Sequence, residues 1–193
     1  MSQGKSNEAD KVERIAAAIR DILEAIGEDP QRDGLRNTPE RVARMYLEVF
    51  GGMREDPAPH LATQFEERYD EMVVLRGIPF YSMCEHHLLP FMGTAHVAYL
   101  PRKGIIGISK LARVVEAFAR RPQVQERLTC QIADLIWEQV KPRAAAVVIE
   151  AQHTCMIIRG VKKPGSVMVT SALRGLAKTN AATRAEVLGL LRD

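Results

Sequence analysis

MVVLRGIPFYSMCEHHLLPFMGTAHVAYL, residues 72–100, is the stretch that decides the fold. Residues 72–82 and 94–100 are rich in β-branched and aromatic side chains, a composition that predicts two strands. The segment Cys84-Glu85-His86-His87 falls in the connection between them. A strand pair whose connection carries thiol and imidazole groups indicates a sheet with chemistry at one end.

The chain after residue 100 predicts two helices and a second strand pair. Ser109 is the expected cap of the first helix, and Pro122 the expected start of the second. Strands are expected around residues 146–152 and 167–171. The order strand pair, two helices, strand pair predicts an α+β fold, in which helices cover one face of an antiparallel sheet. Such a sheet has unpaired edges, which closure or pairing with another chain would remove.

Both ends of the chain carry helical signals as well. Apolar residues recur at helical spacing over residues 7–26, and Thr38-Pro39 reads as the cap and first position of a second helix. Asn180 is the expected cap of a C-terminal helix. We therefore divide the chain into a helical region, 1–60, and a domain that holds the sheet and the site, 61–193.

The composition is typical of a soluble, intracellular protein. The chain has 193 residues, of which 46% are hydrophobic, and no apolar run approaches the roughly 20 residues that span a bilayer. Residues 1–10 are polar and lack a secretory signal, and three cysteines fit a reducing compartment better than a disulfide framework. A net charge of +3 and few aromatic residues give little basis for binding nucleic acid. We expect a cytoplasmic protein that binds neither membrane nor nucleic acid.

A zinc site is the strongest chemical prediction. Cys84 and His87 are three residues apart, so a tight loop can present both to one ion, and Cys155 follows a predicted strand that could bring it close. Three protein ligands leave the fourth position of a tetrahedral zinc ion open for water. His86 and His153 lie beside these ligands in the sequence and could move protons. This arrangement favours a metal-assisted hydrolase over a structural zinc site.

Two of the cysteines, and Glu85, also have simpler interpretations. Cys84 alone would be a small buried hydrophobic residue, and Cys130, inside a helical pattern, is expected to fill the core. Glu85 lies within the motif, but a hydrogen bond behind the ligands and a solvated charge are both open for it.

An anion site is a weaker prediction. Glu126 lies at a helix start, where it either complements the helix dipole or accepts two hydrogen bonds from a guanidine-like edge; the sequence favours the first. Ile108-Ser109-Lys110 opens a helix after a glycine-bounded segment and could cradle an anion. Further cations, among them Arg41, Arg113 and Arg159, are either solvated or part of a polyphosphate site.

Several motifs taken together resemble GTP cyclohydrolase I. They occur in family order from about Arg36 to the C-terminus: TPERVA (38–43), CEHH (84–87), IGISK (106–110), RRPQVQERL (120–128), QHTCM (152–156) and RG (159–160). Six motifs in register are far more specific than any one of them. The residues before about Val12 carry no useful resemblance.

The resemblance implies a tunnelling fold, in which strands from many subunits form barrels that assemble into a homodecamer. Active sites would then lie at subunit junctions. The implied reaction converts GTP and water to 7,8-dihydroneopterin triphosphate and formate, the first step of pterin and folate biosynthesis, with Zn²⁺ as cofactor.

The resemblance also implies a role for each matching position. Cys84, His87 and Cys155 would bind zinc, and His86 and His153 would form the acid–base pair, with His153 protonating guanine N7. Glu126, with the backbone near Gln125, would read guanine. The remaining positions would bind the ribose and the triphosphate, namely Ser109, Lys110, Arg113, Arg159 and Arg41.

Two other functions are compatible with parts of the pattern. A deazaguanine-modifying enzyme, such as the nitrile reductase of queuosine synthesis, would need a cysteine nucleophile and a nicotinamide cofactor, and the chain has no dinucleotide fingerprint. A zinc-stabilised binding module without turnover would need a closed site, with His86 as the fourth ligand.

Overall fold

The computed structural model describes residues 2–192, with side chains from residue 8 onward. Its internal contacts form two compact units, one ending at Gly51 and the other beginning at Gly52. The predicted division into a helical region, 1–60, and a domain that holds the sheet and the site, 61–193, stays a prediction. No helix within the described residues is both long and apolar enough to span a bilayer.

The first unit consists of two helices that pack on each other, α1 (Ser2–Ala25) and α2 (Thr38–Val49). Ala16 on α1 and Ala43 on α2 are buried, and small side chains there suit close helix packing. Thr38 was predicted as the cap of α2, and that prediction is wrong by one residue. Asn37 occupies the cap position, while Thr38 is already helical and directs its hydroxyl to the Gly34 carbonyl at 3.4 Å.

Among the described residues, the second unit contains a five-stranded sheet, the two-stranded pair of Gln64–Phe65 with Ile105–Ile106, five further helices and the short 3₁₀ turn Ala58–Leu61. Another 3₁₀ turn, Gly51–Arg54, begins at the last residue of the first unit. The strands are β1 (Gln64–Phe65), β2 (Val73–Cys84), β3 (Pro90–Leu100), β4 (Ile105–Ile106), β5 (Pro122–Gln123), β6 (Ala144–His153) and β7 (Met168–Gly175). The helices are α3 (Ile108–Ala119), α4 (Gln125–Val140), α5 (Thr154–Ile157), α6 (Leu176–Thr179) and α7 (Ala181–Leu191).

Both predicted strand pairs are present, in one sheet of order β5-β2-β3-β6-β7. The neighbours β2, β3, β6 and β7 are antiparallel, whereas β5 pairs with β2 in parallel. The register places Phe91 opposite His153, and Cys84 beside Gln123. The end of β2, the start of β3 and the end of β6 therefore lie side by side at the same end of the sheet.

The main core lies between this sheet and the helices α3 and α4, as the α+β prediction requires. Alternate residues of β3, including Phe91, Val97 and Tyr99, point toward the helices and are fully buried. The Tyr99 hydroxyl accepts a hydrogen bond from the Ile106 amide at 2.8 Å, which satisfies a polar group inside the core. Cys130 was predicted to fill the core, and this is wrong: it lies on the exposed side of α4.

The helices do not start where the sequence indicated. The first turn of α3 begins at Ile108 after Gly107, so Ser109 is an exposed residue inside the helix and not its cap. Pro122 was expected to open α4, but it begins the two-residue strand β5, and the helix starts only at Gln125. Proline suits such an edge strand because it has no amide to donate.

A second, smaller cluster covers the opposite face of the sheet at the end remote from Cys84. It includes Ala98, Ala146 and Leu173 from the strands and Val187 and Leu191 from α7. The predicted cap of α7 is confirmed, because the Asn180 side chain accepts a hydrogen bond from the Thr183 amide at 2.9 Å.

Candidate metal centre

Cys84 is the last residue of β2, and the chain turns sharply after it. Its amide donates to the Leu89 carbonyl at 2.9 Å, while its own carbonyl accepts from the amides of Leu88 at 2.8 Å and His87 at 3.3 Å. Leu88 takes a positive φ of 49°, which lets the chain reverse within so few residues. The turn therefore returns the His87 side chain to the Cys84 thiol.

Cys155 reaches the same place from β6, the strand on the other side of β3 from β2. The strand β6 ends at His153, opposite Phe91, and Cys155 lies in the short helix α5 that follows. The Thr154 hydroxyl donates to the Pro90 carbonyl and fixes α5 against the start of β3. Strand register thus brings together two cysteines that are far apart in the sequence.

The candidate ligand atoms form one compact group. One atom each from Cys84, His87 and Cys155 lies within 4.8 Å of the others, and the Cys84 Sγ is 3.7 Å from the His87 Nδ1. Tetrahedral zinc, with Zn–S near 2.3 Å and Zn–N near 2.0 Å, holds such atoms about 3.5–3.8 Å apart. Cys84 is buried, Cys155 half-buried and His87 exposed, so the group opens to one side. Two thiols and one imidazole on this scale fit zinc with an open position.

The surroundings shift the pKa values of two of these groups toward their neutral forms. Burial raises the pKa of the Cys155 thiol, and the neighbouring Cys84 sulfur raises it further. Desolvation lowers the pKa of His87, and the charge of Arg159 adds to this effect. A divalent cation would favour the two thiolates, and the neutral imidazole is the form of His87 that binds metal.

Arg159 makes a contact that bears on the His87 tautomer. One of its guanidinium nitrogens lies against the His87 Nε2. Guanidinium can only donate, so Nε2 accepts and Nδ1 carries the hydrogen that faces Cys84. His87 would bind a cation through Nδ1 only in the tautomer with hydrogen on Nε2, and in that tautomer Nε2 could not accept from Arg159. Arg159 would be free to meet an anion beside the metal.

His86 lies outside the metal group. Its side chain is 65% exposed, its Nε2 is 3.8 Å from a Glu85 oxygen, and its ring stands edge-on to His87 at 6.1 Å. Of the described residues, only three contribute to the ligand group, and His86 is not one of them. This arrangement favours an open site over the closed site of a binding module.

Glu85 has a definite partner. Arg127, on the first turn of α4, donates through both terminal nitrogens to the two Glu85 carboxylate oxygens. These hydrogen bonds lower the pKa of Glu85, so the carboxylate stays charged. The sequence left Glu85 without a role, and the ion pair gives it one: it joins the metal-ligand turn to α4.

His153 is held between an aromatic ring and an amide. The Phe91 ring stacks on it with a centroid distance of 4.5 Å and an interplanar angle of 4°, and the Gln125 Oε1 lies 2.8 Å from its Nε2. Desolvation lowers the pKa of His153, while the negative charge of Glu126 opposes this shift. Burial therefore favours the neutral form of the ring, and Glu126 is close enough to favour the charged form in opposition.

The other predicted site residues are more scattered. Glu126 is exposed on the first turn of α4, whereas the Gln125 side chain is buried and turns inward. Ser109, Lys110 and Arg113 lie on the first turns of α3, and no hydrogen bond or ion pair described for them reaches the metal group. Arg41 lies on α2, in the first unit, and is exposed.

Sequence reasoning missed the side-chain roles of Gln125, Phe91 and Arg127. A glutamine before Glu126 suggested only a backbone contact, and Phe91 was outside the predicted strand. Their contacts depend on strand register and helix placement. The alternation of apolar residues along β3 is the one signal that could have placed Phe91 on the core side, had the predicted strand extended to it.

Comparison with known proteins gives a consistent result. The family model described as GTP cyclohydrolase I matches residues 15–192. GTP cyclohydrolase 1 of Carboxydothermus hydrogenoformans is 64% identical over 180 residues, covering 93% of this chain and 94% of that protein. GTP cyclohydrolase 1 of Pelotomaculum thermopropionicum is 62% identical over 180 residues, covering 93% and 96%.

A likeness to a solved structure is much weaker. The archaeosine synthase QueF-Like in the apo form aligns with 56% of this chain and 97% of its own, at 18% identity and a TM-score of 0.47. This likeness is too slight to indicate function.

Proposed function

The chain belongs to the GTP cyclohydrolase I family, with its tunnelling fold, and from this premise we propose that it converts GTP and water to 7,8-dihydroneopterin triphosphate and formate, using zinc. The observation that carries the proposal is the open group of Cys84, His87 and Cys155, with His153 two residues from a ligand. A zinc ion held there would supply Lewis-acid activation of water near neutral pH.

His153 is the proposed acid for opening the imidazole ring of guanine. C8 of guanine is a poor electrophile until N7 is protonated, and His153 would deliver that proton. Addition of water at C8 and ring opening then give a formamide, and a second hydrolysis releases formate. The half-buried, stacked ring of His153 supports this role, because a fixed imidazole can transfer a proton along one direction.

The later steps are proton transfers on the ribose. The sugar opens to an imine, rearranges to a ketone and closes onto the freed amine. His153 and His86 are the proposed acid–base pair for these steps, because imidazoles exchange protons near neutral pH. His86 is exposed and next in sequence to the ligand His87, which supports a role beside the metal group.

Substrate recognition would begin with Glu126. A carboxylate can accept two hydrogen bonds from the guanine N1 and exocyclic amine, and the α4 N-terminus offers backbone amides beside it. The buried Gln125 side chain leaves only its backbone for guanine. Ser109 would contact the ribose, and the triphosphate would meet the cations Lys110, Arg113, Arg159 and Arg41.

Assembly into a homodecamer, with active sites at subunit junctions, is part of the proposal. No strand among those described pairs with the outer edge of β7, and such edges favour pairing with another chain. No hydrogen bond or ion pair described for Ser109, Lys110 or Arg113 reaches the metal group, which is compatible with a site that borrows these residues from a neighbour. Cytoplasmic localisation and the absence of nucleic-acid partners stay predictions.

The test is conversion of GTP to neopterin, followed by fluorescence after oxidation and dephosphorylation, with and without a zinc chelator. We expect formate and neopterin only with zinc, restored when zinc is added back. Full activity of the metal-free protein would exclude the metal mechanism. Metal binding without any turnover of GTP would instead favour the binding module.

Two variants test the residue roles. His153→Ala should block ring opening, seen as loss of both formate and the ultraviolet change, and unchanged turnover would refute its role. Glu126→Gln should weaken GTP binding, because an amide mismatches one of the two guanine donors. Equal affinity by calorimetry would contradict the assignment of Glu126.

A further inference from the structure

The Gln125 side chain is fully enclosed by protein partners, although it lies beside the candidate active site. It is 1% exposed. Its Nε2 donates to the carbonyls of Ile149 and Met168, both at 3.0 Å, and to the Thr170 hydroxyl at 3.1 Å. Carbonyl oxygens only accept hydrogen bonds, so this end of the amide must be the nitrogen. The amide orientation is therefore fixed by the backbone of two strands, β6 and β7.

A fixed amide decides which ring nitrogen of His153 carries hydrogen. The other end of the amide, the Gln125 Oε1, faces the His153 Nε2 at 2.8 Å. An amide oxygen can only accept, so Nε2 must be protonated, and the neutral ring has its lone pair on Nδ1. The structure describes no hydrogen bond to that Nδ1, which makes it the nitrogen left for a substrate.

We propose that Gln125 is a positioning residue that fixes the Nε2–H tautomer of His153, so that Nδ1 is the atom that exchanges protons with substrate. The inference rests on the proposed function for the role of His153. In the acid step the imidazolium carries hydrogen on both nitrogens and transfers the Nδ1 proton to guanine N7. The neutral ring that remains keeps its hydrogen on Nε2, and the Gln125 Oε1 accepts that hydrogen without any rearrangement.

The surroundings oppose the alternative orientation of the ring. Rotation by half a turn would place a carbon in contact with Oε1 and lose the hydrogen bond. The Phe91 ring, fully buried and nearly parallel to His153, holds the imidazole plane. The Thr129 hydroxyl donates to the Gln125 carbonyl at 2.7 Å, which ties the same residue to the next turn of α4. The plane of the His153 ring, and the direction in which its Nε2 points, are thus set by groups outside the substrate site.

The test compares Gln125→Met with Gln123→Met in the full-length, zinc-loaded protein. Methionine has similar length but no acceptor for the His153 Nε2. Gln123 is a second buried glutamine, 2% exposed, whose Nε2 bonds to the Phe118 carbonyl and to Gln131. It makes no described contact with His153, so this variant controls for loss of a buried amide.

The primary readout is the tautomer itself, from ¹⁵N shifts of labelled histidine in solid-state NMR of the sedimented protein. The His153 signals are assigned by their loss in His153→Ala. We expect only the Nε2–H form in the wild type and in Gln123→Met, and both neutral forms in Gln125→Met. The kcat of Gln125→Met should fall by roughly a hundredfold to a thousandfold, within the range of general acid catalysis, with KM for GTP changed by less than about threefold.

An Nδ1–H form in the wild type would overturn the proposal, as would a single Nε2–H form in Gln125→Met. If that variant does not fold, neutron diffraction of wild-type crystals gives the same answer, since deuterium on Nδ1 alone would refute the proposal. Failure of the proposed function is a separate result: His153→Ala would then turn over GTP normally, whatever the tautomer. That outcome would end the catalytic role of Nδ1.

Discussion

Arg127 holds both carboxylate oxygens of Glu85, and this pair joins the turn that carries Cys84 and His87 to the first turn of α4. The two residues are 42 positions apart in the sequence. Glu126, the proposed guanine reader, is the neighbour of Arg127. The ion pair therefore links the candidate metal centre to the candidate base-recognition residue.

Breaking this pair should loosen the metal site. We expect Glu85→Gln and Arg127→Met each to weaken zinc retention by roughly tenfold, the lower end of the effect of groups that support metal ligands. Competition with a chromogenic chelator measures it. The swapped double variant, Glu85→Arg with Arg127→Glu, should recover part of the loss, and retention equal to wild type in both single variants would show that the pair is only a surface contact.

The three cysteines should behave differently toward zinc. Cys84→Ala and Cys155→Ala each remove a ligand and should lose most of the bound zinc, measured by elemental analysis of the purified protein. Cys130→Ala is the matched control, because Cys130 is exposed on α4 and outside the ligand group. Equal zinc content in all three variants would mean that the metal binds elsewhere.

Two glycines should respond oppositely to alanine. Gly175 has a φ of +60°, and an added Cβ would meet the Arg143 carbonyl oxygen at 2.4 Å and the Trp137 ring at 2.5 Å. Gly175→Ala should lower the free energy of unfolding by about 1–3 kcal/mol. Gly189, inside α7 with nothing within 4 Å of its Cβ position, should gain about 0.5–1 kcal/mol as alanine. Denaturant unfolding checks both, and a neutral Gly175→Ala would contradict the close approach.

The Glu28–Arg32 pair predicts a pH dependence in the first unit. Two hydrogen bonds from Arg32, each 2.8 Å, together with one from the Asp29 amide, lower the pKa of Glu28 from 4.5 to about 2. Because the folded-state pKa is lowered, the stabilisation is complete above pH 4.5 and declines as the pH falls toward 2.

The comparison of wild type with Glu28→Gln isolates this effect. The wild type should melt at a higher temperature than the variant at pH 6.5, and the gap should shrink as the pH falls below 4.5 and close near pH 2. A gap of the same size at every pH would exclude the carboxylate as its source.

Much of the fold followed from local pattern. The alternation and β-branched content of residues 72–100 gave the first strand pair, and the helical periods gave α3 and α4. The Cys84–His87 spacing indicated a shared metal because a tight turn can bring residues three apart to one ion. The predicted helix starts were less accurate. Ser109 and Pro122 are residue types that suit a cap or a first turn, and the predictions relied on that preference. Pairing of β5 with β2 instead decided where α4 begins.

The sequence by itself determined the residue types of the site, their order along the chain and the family to which they point. Only the tertiary structure decided that Cys155 meets Cys84, that Phe91 lies on His153, and that the Gln125 amide faces inward. These contacts join residues on different strands and helices, and strand register sets which of them meet. Local propensity carries no information about register between distant strands, because that register is fixed by burial of one whole face of the sheet.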